Sequence, residues 1–482
     1  MPEQYRLFKE GESWPPVKAQ VRNAIYKNLR DIYALSQKTI WNPELKIDQT
    51  WRFVPSALPV IIIHGIRNWL FQNQLKIEWP NETQDDVKAA VDRIIEETDL
   101  QTVLWLAKAD GGITGDIYIR VAYHDDHPQN TEYGVVVDYV KPEMVFPEFL
   151  LNNDAIAKSN SIGWTGKKEI AGIKTDFLFL ETYEPGRITL EKFKLDSGNR
   201  IGIKVELDPE DPPEFTKVPE NLNLLFHLQN QPTLEYYGAS DISVAVQNPI
   251  KEIVNRQTRK AWVLDVMGRP ILVVPEKACE RQVDPKTGET FLKIPSEAIV
   301  IDDLTKAEQI KYLTWDANTQ AVDYEMDRYR QEAFLAASVS PTALGIETKG
   351  GVASGHALEV EMAPMLTLIN TIKRIWQTTL GKLLYAAQVL EVSMGGARYI
   401  PTKCRVAIET GVPISRDTQA TIIQKVAPHL PKHEVMRAWL PDANAATIDS
   451  MVTSMAGTNG NLQQRLQARR MQREQPTQGE QQ

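Results

Sequence analysis

The sequence predicts an α+β fold in which helices surround a region of strands. The first observation is a run of segments rich in β-branched and aromatic residues between Asp116 and Leu207, which is typical of strands. The second is the recurrence of apolar residues every three or four positions, most extensively between Ser354 and Met394. The third is a group of short strand patterns enclosed by two further helical segments.

Length, composition and charge limit the class of protein. The 482 residues correspond to roughly three domains, and 42% of them are hydrophobic. The net charge of −9 argues against a tight static DNA binder, because such binding depends on neutralising phosphates. The polar N-terminus and the short apolar run Leu58–Ile63 predict a soluble protein, neither secreted nor membrane-embedded. Cys279 and Cys404 form no disulfide framework and no metal-ligand spacing.

The N-terminal region begins with helical patterns. Residues Val17 to Gln37 predict an amphipathic helix, and its apolar face comprises Val21, Ile25, Leu29, Ile32 and Leu35. A second helical region covers Asp85 to Ala109. We expect Asp110-Gly111-Gly112 to end it, because glycine disfavours a helix interior.

Strand patterns follow. They comprise Asp116 to Tyr123, Glu132 to Val140, Lys174 to Thr182, and a hairpin of Arg187 to Leu195 with Arg200 to Leu207. The acidic, proline-containing stretch Asp208 to Glu220 is predicted to be an exposed connection.

Two helical segments of similar length enclose a small β unit. The segments run from about Ser240 to Trp262 and from about Asn318 to Ser338. Between them, Ile271 to Val274 and Thr290 to Ile294 predict two strands joined at a turn whose residues are Asp284, Pro285, Lys286, Thr287 and Gly288. The arrangement predicts a stalk with a tip.

The two stalk segments carry opposite charge. Four bases and one acid give the first segment +3 between Ile250 and Ala261, and two bases and five acids give the second −3 between Asp316 and Glu332. Two ordinary solvated faces would explain this equally well. The alternative is electrostatic pairing, in one chain or around a ring, which fixes register. The candidate pairing residues are Lys251, Arg256, Arg259, Lys260, Asp323, Glu325 and Asp327.

The longest predicted helix covers residues 354–394, about 60 Å at 1.5 Å per residue. Its apolar face comprises Leu358, Met362, Met365, Ile369, Ile372, Trp376, Leu380 and Leu383. Pro364 removes a backbone donor within this pattern and predicts a kink. Such a helix is either the core helix of a large domain or an element that organises an assembly.

The Gly-rich segment before this helix has two interpretations. It is a flexible connection, or a mobile loop whose Lys349, repeated around a ring, touches phosphates weakly. After the long helix we expect a strand at Arg398 to Ile408, helices at Arg416 to Ala427, Lys432 to Trp439 and Ala443 to Met455, and a disordered tail at 457–482.

Motifs for catalysis, cofactors or metals are not found. Gly163 to Lys167 lacks the spacing of a phosphate loop. The run from His124 to His127 reads as a solvated turn, and Pro431 separates His429 from His433. We therefore expect no cofactor, no metal and no enzyme activity.

Three short motifs occur in a characteristic order. They are Tyr237-Gly238-Ala239-Ser240-Asp241, Ser340-Pro341-Thr342-Ala343-Leu344-Gly345 and Ser354-Gly355-His356-Ala357-Leu358. With the stalk, tip and long helix, this order resembles the portal proteins of tailed double-stranded DNA bacteriophages, most closely those of long-tailed phages. The resemblance covers nearly the whole chain.

The resemblance implies a division of the chain into the parts of a portal subunit. These are an α/β wing at 1–237 with a return strand at 395–410, stem helices at 238–262 and 316–339, a clip at 263–315, a channel loop at 340–353, the long kinked helix at 354–394, a helical crown at 411–456 and a flexible tail at 457–482. It implies a ring, typically of twelve subunits, at one capsid vertex, through which the genome is packaged and ejected.

The resemblance also implies partners and sites. The partners are other copies of the chain, double-stranded DNA in the channel, the terminase large subunit, the head–tail adaptor and the major capsid protein or scaffold, without a membrane. DNA would meet the channel loop at Thr348, Lys349, Gly350, Gly351 and Val352, and Asp284 to Gly288 in the clip would dock partners. The protein would be located in the virion and, during assembly, in the host cytoplasm.

Three other functions remain open at the level of sequence. The first is another oligomeric head–tail connector or virion protein without a DNA channel. The second is a hydrolase or nuclease that uses carboxylates around Asp116 to Asp126, for which no metal constellation is visible. The third is a modular binding protein with a helical stalk.

Overall fold

The structure is a computed structural model. It describes residues 8–36, 53–80, 83–124, 131–150, 153–170, 173–196, 198–267, 271–275, 280–283, 290–293, 298–301, 311–313, 319–346 and 355–409, with the backbone alone at 169–174, 266–319 and 355–359. The chain divides into two compact units, one of residues 1–349 and 361–411, the other of 350–360 and 412–482. In the second unit, the described residues are those at the start of the long helix.

The fold mixes helices with sheets whose strands are mostly antiparallel. The helices are α1 (Val17–Tyr33), α2 (Leu58–Leu70), α3 (Asp85–Glu97), α4 (Leu100–Thr114), α5 (Val244–Met267), α6 (Thr319–Ala336) and α7 (Gly355–Ser393). The strands are β1 (Leu75–Glu78), β2 (Asp116–Tyr123), β3 (Val135–Val140), β4 (Val145–Leu150), β5 (Asn153–Ile170), β6 (Ile173–Glu184), β7 (Arg187–Asp196), β8 (Arg200–Val205), β9 (Phe215–Lys217), β10 (Leu225–Gln229), β11 (Ile271–Pro275), β12 (Glu280–Val283), β13 (Thr290–Lys293), β14 (Ala298–Ile301), β15 (Lys311–Leu313) and β16 (Arg405–Ile408).

The strands form five sheets. The largest has the order β4-β5-β6-β7-β8, with β9 also paired to β7, and a three-stranded sheet has the order β10-β2-β3. β1 pairs with β16, so that Leu75 lies opposite Ile408. The two remaining sheets lie between the stalk helices: β11 pairs with β14 and β15, and β12 pairs with β13. None of the helices in the described ranges is long and apolar enough to cross a membrane.

The main core of the first unit is centred on the long helix α7. Its predicted apolar face is confirmed from the third turn onward, since Met362 is 2% exposed and Met365, Ile369, Ile372, Trp376, Leu380 and Leu383 are fully buried. Leu358 lies where the backbone alone is described. The indole of Trp376 meets the ring of Phe71, at the end of α2, edge to face at 5.0 Å. Pro364 lies inside α7, and the bend expected there stays a prediction.

The expected stop at Gly111-Gly112 is wrong. The chain leaves the helix earlier, at Asp99, and the second helix, α4, then continues through both glycines to Thr114. A β-carbon on Gly111 would lie 2.1 Å from Ile117, and one on Gly112 would lie 2.7 Å from the carboxylate of Asp241. These glycines therefore permit close packing, and Gly115, with φ +96°, ends the helix.

Three further expectations need correction. The first half of the α1 face, Val21 and Ile25, is exposed, because Tyr26 turns inward with Leu29 and Ile32 and its hydroxyl reaches a buried carboxylate. The 18-residue strand β5 was not predicted, and it includes the segment Gly163 to Lys167. In the tip, β13 pairs with β12 and not with Ile271 to Val274, which belong to the other small sheet.

Candidate functional site: the helical stalk and its anchor

The stalk consists of α5 and α6, which pack against each other. Cross-helix contacts join residue 256 to 325 and residue 260 to 323, so the two helices run antiparallel. Val246, Ile250, Ile253 and Val254 of α5 and Ala333 and Phe334 of α6 belong to the main core. The stalk is therefore continuous with the core at one end, and the two small sheets follow in sequence at the other.

Ion pairs connect the two stalk helices where their apolar faces end. The guanidinium of Arg256 lies 2.6 Å from the carboxylate of Glu325 and 4.8 Å from the ring centre of Tyr329. The ammonium of Lys260 lies 2.5 Å from Asp323. These side chains stay between 23 and 54% exposed, so solvent and salt screen the attraction.

The other three predicted pairing residues have different surroundings in the described ranges. Asp327 pairs with Arg330 of its own helix at 2.6 Å. Lys251 is half-exposed and Arg259 exposed, and neither forms an ion pair with any carboxylate in the described ranges. Four of the seven candidate residues thus meet across the stalk of a single chain.

A buried polar cluster, which we call the anchor, holds the start of the stalk to the end of α4. It comprises Lys108, Asn230 and Asp241, all at most 1% exposed. The Lys108 ammonium lies 3.1 Å from Asp241 Oδ2 and also donates to Asn230 Oδ1. Asp241 Oδ1 accepts from the amides of Asn230 and Gln231, each at 2.8 Å. A buried charge is tolerated when it is paired and hydrogen-bonded in this way.

Glycines bring the two backbones of the anchor into contact. A β-carbon on Gly115 would lie 2.5 Å from the carbonyl oxygen of Gly238, and one on Gly238 would lie 2.3 Å from that of Gly115. The carbonyl oxygen of Gly112 accepts from Asp241 N and Ser240 Oγ, each at 2.9 Å. Carbonyls of the last helical turn have no partner within a helix, so the segment 238–241 completes the end of α4.

The carboxylate of Asp116 lies beside the anchor and has a structural part. It accepts from Tyr26 Oη at 2.5 Å, from His227 Nε2 at 2.8 Å and from the backbone N–H of Gly238 at 3.0 Å. Burial, followed by the repulsion of the Asp116 charge, holds the pKa of Tyr26 well above its usual value. Asp116 is 1% exposed, and both oxygens of its carboxylate accept hydrogen bonds within the fold.

Metal-type clusters were also considered. No group of three or more His, Cys, Asp or Glu side chains that could hold a metal occurs in the described part of the chain. Asp125, Asp126, His127, His429 and His433 lie outside the described residues.

The base of the predicted channel loop is held by contacts with α2 and α7. The segment Ser340 to Gly345 packs on α2, where the Trp69 indole donates to the carbonyl oxygen of Ala343 at 3.0 Å and Leu344 lies directly over Gly65. Thr342 Oγ1 donates to Glu361 of α7 at 2.6 Å. The chain segments before and after the loop are therefore held together. The loop residues Thr348, Lys349, Gly350, Gly351 and Val352 lie outside the described residues.

The predicted docking residues of the clip, Asp284 to Gly288, also lie outside the described residues. They connect the paired strands β12 and β13, in which Val283 pairs with Thr290. The crown at 411–456 and the tail at 457–482 lie outside the described residues as well.

The sequence interpretation missed Lys108 and Asn230. The available signal was a lone lysine in the apolar segment Leu104 to Ala109, where an unpaired charge would be costly. Its partners could not be inferred, since Asp241 is 133 residues away along the chain.

The contacts of the site hold helices in fixed positions. The family described as "Phage portal protein, SPP1 Gp6-like" matches residues 20–451. The chain therefore belongs to this family of phage portal proteins, and it has a portal or connector role in a phage-type particle.

Two solved structures show distant similarity to the chain. The neck of an empty gene transfer agent particle computed with C6 symmetry shares 11% identity over 89% of this chain and 94% of that chain, with a TM-score of 0.44. The virion of a native gene transfer agent particle shares 12% identity over 90% and 96%, with a TM-score of 0.45. No curated protein matches the sequence.

Proposed function

We propose that the protein is the subunit of a portal ring, typically of twelve copies, at one vertex of the capsid. The ring encloses the channel through which double-stranded DNA is packaged and later ejected. Family membership supports this function. The observation that carries it is the antiparallel stalk rooted in a fully buried ion pair, because a channel wall exposed to moving DNA needs a rigid attachment.

The parts of the subunit follow the order of the chain. The wing is 1–237, completed by 395–410; the stem is 238–262 with 316–339; the clip is 263–315; the channel loop is 340–353; the long helix is 354–394; the crown is 411–456 and the tail 457–482. Two contacts support this division: β16 of the return segment pairs with β1 of the wing, and the two stem segments contain the paired helices α5 and α6.

The channel loop is the proposed contact with DNA. Thr348, Lys349, Gly350, Gly351 and Val352 lie between two segments that the Thr342–Glu361 hydrogen bond ties together. One lysine per subunit supplies few phosphate contacts, so DNA is guided and not retained. The net charge of −9 supports the same interpretation, because a repelling channel favours rapid passage.

The clip is the proposed docking site of the terminase large subunit and, after packaging, of the head–tail adaptor. Asp284, Pro285, Lys286, Thr287 and Gly288 join two paired strands, a position suited to contact with a partner. The wing would contact the major capsid protein or scaffold. The protein would reside in the virion after assembly in the host cytoplasm.

The proposal is tested first by assembly and then by packaging. Negative-stain images and the mass of the purified particle should give a twelve-fold ring with a central hole. A compact oligomer without a hole, or an open-ended one, would indicate a connector without a channel. Replacing Gly350 and Gly351 by leucine should leave the ring intact and reduce packaged DNA. Normal packaging by intact rings of that variant would contradict the proposed loop function.

A further inference from the structure

One face of the long helix α7 remains uncovered and basic. It runs from Ala363 to Lys382, about 29 Å along the helix. Arg374 and Lys382 are exposed on it, and neither forms an ion pair with any partner in the described ranges. The sequence has no acidic residue between Met362 and Leu390, in a chain whose net charge is −9. The positive charge of this face is therefore uncompensated within the described part of the subunit.

The same face is smooth. Apart from the two cations it carries small or short polar residues, and three threonine hydroxyls donate within the helix: Thr367 to Ala363 O at 2.9 Å, and Thr371 and Thr378 to the carbonyls four residues earlier at 3.0 Å. Hydroxyls satisfied in this way need no water. They permit close approach of another surface without leaving buried donors unpaired.

The complementary surface is present on α3. Asp85, Asp92 and Glu96 are exposed at helical spacing, and Asp99 is exposed just after the helix. Asp92, Glu96 and Asp99 form no ion pair within the described ranges, whereas Asp85 contacts Lys88 at 2.8 Å. The opposite side of α3, with Val87, Val91 and Ile94, is buried. The acidic face therefore points away from the core of its own subunit.

The two faces match in charge and in spacing. Arg374 and Lys382 are about 12 Å apart along α7, and the carboxylates that form no ion pair in the described ranges, from Asp92 through Glu96 to Asp99, extend over about 10 Å at the end of α3. Two different patches that complement each other form a head-to-tail contact, and repetition of that contact gives a ring when the rotation between successive copies closes. Electrostatic complementarity of this kind fixes orientation and excludes wrong partners.

We infer that the basic face of α7 docks on the acidic face of α3 of the neighbouring copy in the ring. This contact deepens the proposed function and rests on it. It is distinct from the stalk pairs, which form within one chain. The partner is a second copy of this chain and not DNA, because the acidic face of α3 supplies charges of the opposite sign at a matching spacing.

Charge reversal tests the contact. The basic-face variant combines Arg374→Glu with Lys382→Glu, and the acidic-face variant combines Asp92→Lys with Glu96→Lys. Each alone should lower the assembled fraction at low salt by about tenfold or more, because like charges then face each other. A 1:1 mixture of the two variants should restore rings in which they alternate. Assembly is measured by native mass spectrometry, and folding of the unassembled chains by thermal melting.

A matched control combines Lys194→Glu with Arg200→Glu, two exposed cations on the β7–β8 hairpin, and should assemble like the wild type. If the wild type and both charge-reversal variants form rings to the same extent, this inference is wrong and the proposed function stands. Loss of assembly without rescue in the mixture would also overturn the inference, as would a basic face that retards duplex DNA while the acidic-face variant assembles normally. A wild-type chain that forms no ring would overturn the proposed function and this inference with it.

Discussion

The anchor and the stalk both contain ion pairs, but their surroundings differ. Lys108 and Asp241 in the anchor are 0% exposed, whereas Arg256 and Glu325 in the stalk are 25 and 54% exposed. A buried pair adds little net stability, yet removal of one partner leaves a charge in an apolar interior. An exposed pair is screened and can be lost cheaply. The anchor therefore determines where the stalk begins, and the exposed pairs adjust how its two helices align.

The largest expected effect comes from breaking the anchor. Asp241→Ala leaves the Lys108 ammonium buried with Asn230 as its polar partner, so the free energy of unfolding should fall by about 3–5 kcal/mol. Urea unfolding at neutral pH measures this loss. Glu325→Ala in the stalk is the control. If Asp241→Ala lowers the free energy of unfolding no more than Glu325→Ala does, burial does not distinguish the anchor from the stalk.

The second effect concerns the glycine contact in the anchor. Gly115→Ala introduces a β-carbon 2.5 Å from a backbone carbonyl at a residue whose φ is +96°. Backbone strain of about 1–3 kcal/mol is expected, and the collision adds to it. Gly198→Ala is the matched control, since its φ is +81° and nothing lies within 4 Å. Thermal melting should show a larger decrease in melting temperature for Gly115→Ala than for Gly198→Ala. Equal decreases would mean that the contact between Gly115 and Gly238 can relax.

A further ion-pair network joins Lys168 of β5 and Lys192 of β7 to Asp208, and its stabilising effect depends on pH. The Lys168 and Lys192 ammonium groups hold the pKa of Asp208 at about 2. Because this folded-state pKa lies below the unfolded value of about 3.9, the stabilisation exists above that value and fades as pH falls towards 2. Asp208→Asn should therefore have a lower urea midpoint than the wild type at pH 6, and the difference should shrink as pH approaches 2. A constant difference would exclude an ionic contribution.

The smallest effect is expected in the stalk. The coupling energy between Arg256 and Glu325, from a double-mutant cycle with alanine at each position, should be about 0.2–1 kcal/mol at low salt. High salt should reduce it further. A coupling energy that does not change with salt would contradict a screened ion pair. The contact of Arg256 with the ring of Tyr329 is present with and without Glu325, so it cancels in the cycle.

The sequence predicted what depends on local periodicity. The buried face of α7, the stalk helices and the β7–β8 hairpin each follow from spacing that a short window contains. The strand β5 was missed because its Asn, Ser, Gly and Lys residues have low strand propensity, and its pairing with β6 supplies the order.

The anchor could not be predicted for a different reason. The segment Tyr237 to Asp241 was recognised as a motif, but its partners are on α4 and at Asn230, more than a hundred residues away in the case of Lys108 and Gly112. The same distance explains the error at Gly111-Gly112. A glycine in a helix weakens it only by about 1 kcal/mol, and close approach of a remote segment outweighs that cost.

The pairing of β1 with β16 has a consequence for the order of folding. Leu75 pairs with Ile408, so β1 can find its partner only after 333 further residues have been made. Contacts of such long sequence separation form late and slow the final step. A chain still on the ribosome therefore exposes an unpaired strand edge at β1 until residue 408 has emerged, and its first unit cannot be complete before then.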